Sequence, residues 1–186
     1  ERFKLAGYLL DRGADINARD GEDATPLHLA ARVGTGTGHL PLEFLDAAVD
    51  ARTEAGMTPL HIASAHGRAE VLRDLLEMGA TVNARDDRGQ TPLHWTIWGQ
   101  PHPDCALILL MHGADPSAKN RWNSTPPAVA ARKEKEYKNM EQWGENYKER
   151  QLRKVRVLQQ LLRCWKQRQG GTGSKTSTRP VSPASR

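Results

Sequence analysis

Two cysteines, Cys105 and Cys164, stand in a chain of 186 residues. They are too few for a disulfide framework and favour a reducing compartment. No apolar run approaches the roughly 20 residues of a membrane-spanning helix. The chain also lacks a phosphate-binding loop, a nucleophile elbow and a Gly-rich dinucleotide fingerprint. Gly34-Thr35-Gly36-Thr37-Gly38 has the glycines but not the Lys-Ser/Thr that a phosphate loop needs. Aromatic residues are scarce, at 5%. Beyond Trp165 none is interleaved with the C-terminal basic residues, which argues against nucleic-acid reading. A net positive charge is missing from the body of the chain. Residues 1–127 hold 12 Lys/Arg against 17 Asp/Glu, and residues 128–186 hold 15 against 5. The net charge of +5 therefore describes a basic C-terminal part attached to an acidic body; either the two touch each other, or each seeks its own partner.

What the chain does have is a period. Thr-Pro-Leu-His occurs at Thr25–His28, Thr58–His61 and Thr91–His94, each start 33 residues after the last. A degenerate copy, Thr125-Pro126-Pro127-Ala128, follows after 34. A fixed period of this length marks a solenoid, whose units bury their apolar faces only by stacking. Thr is a good N-cap and Pro suits the first helical position, so each Thr-Pro opens a helix. In the second full unit that helix runs through Leu60-His61-Ile62-Ala63-Ser64 and stops at Gly67. A second helix follows, with Val71, Leu72, Leu75 and Leu76 on one face. Gly13, Gly79 and Gly113 fall where a left-handed C-cap is needed. The stretches Ile16–Asp20 and Val82–Asp86 then lead through a turn into the next Thr-Pro.

Helix, turn, helix and β-turn finger at 33 residues resembles the ankyrin repeat, over about residues 1–131. The resemblance implies an all-α solenoid. It also implies that His28, His61 and His94 tie each helix start to a finger by hydrogen bonds, and that partners meet the fingers and the inner faces of the first helices. A metal role for these histidines is disfavoured by spacing. Equivalent positions of stacked helices lie about 10 Å apart, whereas metal–ligand bonds are about 2 Å.

The expected units are a partial repeat at 1–20, repeats at about 21–53, 54–86 and 87–120, and a degenerate one from 121 to 131. Phe3, Leu5, Leu9 and Leu10 read as a second helix without its first, so more repeats or another domain are expected upstream. Gly34–His39 adds residues between the two helices of the 21–53 unit, whose second helix, from Leu40 to Ala47, is short. Asp23 and Asn123 stand where Gly56 and Gly89 stand in other fingers; Asn tolerates positive φ.

Candidate partner-binding residues are Trp98, Trp122, Arg121, Arg88, Met57, His66, Arg32 and Arg132. Trp122 leads them, because a fingertip offers a Trp little burial and Trp and Arg dominate interface hot spots. The competing expectation is that Trp122 packs against the C-terminal extension. Trp98 is expected on the inner helix beside it, while Trp95, three residues earlier, is expected to point into the stack.

Residues 132–169 form a basic helical extension, and 170–186 have a disordered composition. Leu152, Val155, Leu158, Leu161, Leu162 and Trp165 recur at helical spacing, and residues 148–168 are expected to dock that stripe on the last repeat. The same helix contains Leu158-Gln159, Arg163 and Arg168, which fit an IQ-like pattern. With Trp165 they suggest a calmodulin-type ligand or a site for an acidic partner. The reading is a non-catalytic interaction scaffold without cofactor or metal, cytoplasmic or nuclear. Its alternatives are a regulatory segment of a larger enzyme or channel, and a calmodulin-binding adaptor.

Overall fold

The computed structural model describes residues 12–34, 46–140 and 144–170, with side chains through 168. The partial helix expected near residues 3–10, the insertion at 35–39, most of the short helix after it and the tail from 171 lie outside the described residues. Among the described residues there are seven helices and no strand: α1 Pro26–Val33, α2 Pro59–His66, α3 Ala69–Glu77, α4 Pro92–Trp95, α5 Pro103–Met111, α6 Pro126–Lys138 and α7 Glu145–Gly170. They form two layers. The inner row is α1, α2, α4 and α6, each touching the next; the outer row is α3, α5 and α7.

Local chemistry sets each unit. Thr25, Thr58 and Thr91 are extended N-caps with Pro at the first helical position, and each forms a capping box with the His three residues later. Leu27, Leu60 and Leu93, in one register, are completely buried between neighbouring units. Val71, Leu72 and Leu75 close the outer layer on α3. The fingertip needs a left-handed residue, and Asp23 (φ 59°) and Asn123 (φ 55°) adopt it in the register of Gly56 and Gly89.

Two helices depart from the expected lengths. α4 makes a single turn, so Trp98 lies in the turn beyond it rather than on the inner helix. Thr96 Oγ1 donates to the Leu93 carbonyl at 2.8 Å, Ile97 N–H to His94, and His102 N–H to the Thr96 carbonyl. Together these bonds tighten the chain out of the α-helix. α6, by contrast, runs without a break across residue 131, where the sequence pattern ended. α7 then packs on α6 and α5, in the outer place of the fourth unit. Leu152, Val155, Leu158 and Leu162 are buried there; Leu161 and Trp165 are half-buried.

Candidate protein-interaction surface

Each finger is a turn held by its own first residue. Asp20 Oδ1 accepts the N–H groups of Glu22 and Ala24, Asp86 Oδ1 those of Arg88 and Gln90, and Asn120 Oδ1 those of Trp122 and Ser124. These N–H bonds hold the Asp20 carboxyl below its ordinary range. Adjacent fingers are stitched by backbone bonds: Glu54 N–H to Glu22, Asp87 N–H to Ala55 and Arg121 N–H to Arg88.

The histidines join finger to helix. Thr58 N–H donates to Nδ1 of His61, and Nε2 donates to the Gln90 carbonyl of the next unit at 3.1 Å. His28 reaches Met57 and His94 reaches Ser124 in the same way. Because an N–H only donates and a carbonyl only accepts, each ring must be the neutral Nε2–H tautomer. Burial lowers all three pKa values, that of His61 to about 4. Burial also raises the Cys105 thiol to about 12, which makes it an inert packing group. Among the described residues no group of three or more His, Cys, Asp or Glu is arranged to hold a metal, and no helix is long and apolar enough to cross a membrane.

Two ladders had not been singled out from the sequence. Arg19, Arg52 and Arg85 each donate to the backbone carbonyl of the equivalent residue one unit on: Arg52, Arg85 and Lys119, at 3.0, 2.7 and 3.0 Å. Asn17, Asp50 and Asn83 accept the N–H of Ala48, Thr81 and Asp115. Their signal was the 33-residue period itself.

The expected partner-binding residues fall in two groups. On the fingers, Trp122 is 57% exposed and Arg121 and Arg88 are exposed, while Met57 is half-buried. On the inner layer, Arg32 and His66 are exposed and Trp98 is half-buried. Arg132 Cζ and Lys133 Nζ sit 5.7 and 5.8 Å from the Trp98 ring centre, so Trp98 and Arg132 form one cluster. Trp95 does not enter the core. It is half-buried, stands edge-on to Trp98 at 6.3 Å, and donates its indole N–H to Asp86 Oδ2 at 3.0 Å. An indole N–H needs an acceptor, and the finger carboxylate holds the ring at the rim.

In the IQ-like segment, Leu158 is fully buried and Gln159 donates to Glu134 Oε2 of α6 at 3.0 Å. Glu134 also takes Lys138 and Arg156, and these partners, led by Lys138, hold its pKa low. Trp165 is half-buried, and Arg163 and Arg168 are exposed. A calmodulin-type partner would have to lift α7 off the array to reach Leu158.

No curated protein matches the chain. The family model described as ankyrin repeats (3 copies) matches residues 2–86 and 40–120. Match, period and stacked two-layer geometry agree, and the chain belongs to the ankyrin-repeat family.

Proposed function

We propose that this chain is a non-catalytic scaffold that captures a partner protein across its fingers and inner face, with Trp122 as the anchor. Ankyrin repeats generally mediate protein–protein contact, and the observation that carries the reading here is Trp122. It is a large apolar side chain left 57% exposed on a turn whose backbone Asn120 pins. A rigid exposed Trp gives up little entropy when it is buried by a partner, and such residues dominate binding energy. Arg121 and Arg88 flank it on the fingers. Trp98 with Arg132, and His66, Arg32 and Met57, supply further contact along the same array.

The test compares the full chain with its Trp122→Ala variant as bait in affinity capture, followed by affinity measurement with the captured protein. The expected loss is at least about 1 kcal/mol with an unchanged melting temperature. A large drop in melting temperature with unchanged affinity would assign Trp122 to packing and overturn the reading.

A further inference from the structure

The edge where inner helices hand over to outer ones gathers positive charge on an otherwise acidic body. Arg32 lies in the last turn of α1, and His66 closes α2. Arg68 precedes α3, His102 precedes α5, and Lys154 comes from α7. Arg68 lies over Gly34, its Cδ 3.1 Å from where a Cβ would stand, and its Nε donates to the Arg32 carbonyl at 3.2 Å. His102 covers Gly67 so closely that a Cβ there would overlap the ring. Arg32, His66 and Arg68 are exposed, while His102 and Lys154 are half-buried.

The charged groups acting on His66 are Arg68 and Arg32; those acting on His102 are Lys154, His66 and Arg68. Among the described residues no carboxylate contributes at His66; at His102 the bond to the Ala65 carbonyl works against Lys154, His66 and Arg68. Glu70, the nearest along α3, pairs with Arg73, and Asp104 acts on Arg73 and the Cys105 thiol. Both imidazoles are therefore held below their ordinary pKa, by partial burial first and then by these cations. Arg150, exposed one turn before Lys154 on α7, continues the charge.

We propose that Arg32, Arg68, His66, His102 and Lys154 form a binding site for an acidic peptide segment of a partner protein. The proposal rests on the reading of the array as a protein binder but uses a surface that does not include Trp122. The row crosses three units at about 10 Å each, a length matched by about 6–9 extended residues at roughly 3.3 Å apiece. The exposed carboxylates Asp20, Glu22, Asp23, Glu54 and Asp87 sit on the fingers, where the inner helices begin, and the row lies where those helices end; a short segment along the edge meets the cations without them. An acidic ligand supplies the missing counter-charge, so the two rings take up protons as it binds and its affinity rises as pH falls through the imidazole range.

The probe is a fluorescein-labelled nonapeptide of alternating Glu and Gly, with a Gln-for-Glu control, titrated with the full chain by anisotropy at about pH 6 and pH 8. The Glu peptide is expected to bind and the Gln peptide not, with tighter binding at the lower pH. Arg68→Glu and Lys154→Glu, on different elements and each checked for fold by circular dichroism, are expected to weaken it at least about tenfold. Lys119→Glu, exposed and on neither proposed surface, is expected to leave it unchanged. In NMR titrations, the pKa values of His66 and His102 are expected to shift upward with peptide. Unchanged binding in both folded charge-reversal variants, or an equal loss in Lys119→Glu, overturns the proposal. So does a chain that ignores the peptide but binds phosphatidylserine vesicles through Arg68. None of these results bears on capture through Trp122, which is read separately with Trp122→Ala.

Discussion

The imidazole of His61 donates from Nε2 to the backbone carbonyl of Gln90, 29 residues further along the chain, while its Nδ1 accepts the N–H of Thr58. Only the neutral ring makes both bonds. Protonation would turn Nδ1 into a donor facing a donor, inside a fully buried site.

Acid should therefore loosen the array well above the range in which carboxylates titrate. The His61 pKa falls from 6.5 to about 4 on folding, so between those values the unfolded chain binds more protons. Stability is full above about pH 6.5 and declines as pH drops towards 4, by roughly 3 kcal/mol for this ring. His28 and His94 act in the same direction. Urea midpoints at pH 7 and pH 5 check this; equal midpoints would contradict the tautomer assignment.

Asp86→Ala should cost about 2–3 kcal/mol, because one buried carboxylate accepts from Arg88 N–H, Gln90 N–H and the Trp95 indole. Trp95→Phe removes only the indole bond and should cost about 1 kcal/mol. The expected signature is the ranking of the two variants in denaturant melts. A Trp95→Phe loss equal to that of Asp86→Ala would place the cost in ring packing instead.

Leu75→Ala should cost about 2–5 kcal/mol. Leu75 is fully buried on α3, and in a stacked array each unit draws support only from its neighbours. A calorimetric melt within about 2 °C of the parent would count against that role, since even 1 kcal/mol moves the midpoint by several degrees in a domain of this size.

The features legible in the sequence were those tied to local backbone chemistry. Thr-Pro-Leu-His fixed the helix starts, Gly79 and Gly113 the outer-helix ends, and Asn123 the fourth fingertip, because each demands a particular φ or cap. Features set by tertiary partners were less visible. The length of α4 depends on Thr96 bonding back to Leu93 and on His102 reaching Thr96, neither of which periodicity reveals. Trp95 had the spacing of a core residue, but its N–H found Asp86. The ladder of Arg19, Arg52 and Arg85 left no mark beyond the period, because a long exposed side chain gives no hint of the carbonyl it meets. Exposure of Trp122 followed from its place on the turn; what covers it in a complex is a property of another molecule.

α7 covers the end of the array. Its stripe of Leu152, Val155, Leu158 and Leu162 is buried against α5 and α6. Glu134 adds bonds to Arg156 and Gln159 across the seam. Burial contributes about 1.5–3 kcal/mol per large side chain before the entropy of ordering the helix is subtracted, whereas the half-exposed ion pair with Arg156 adds little. Ending the chain after Met140 would uncover the apolar faces of α5 and α6, so the melting temperature should fall and the truncated array should aggregate at concentrations where the full chain is monomeric. Leu158→Asp in the full chain should reproduce the destabilisation, because it buries a charge at the same seam. If α7 is instead a detachable ligand for a calmodulin-type partner, the truncated array should melt as the parent does. Amides 152–165 should then exchange rapidly in the full chain, and a peptide of residues 150–169 should bind calmodulin. Protected amides together with a lowered melt establish α7 as the outer helix of the fourth unit.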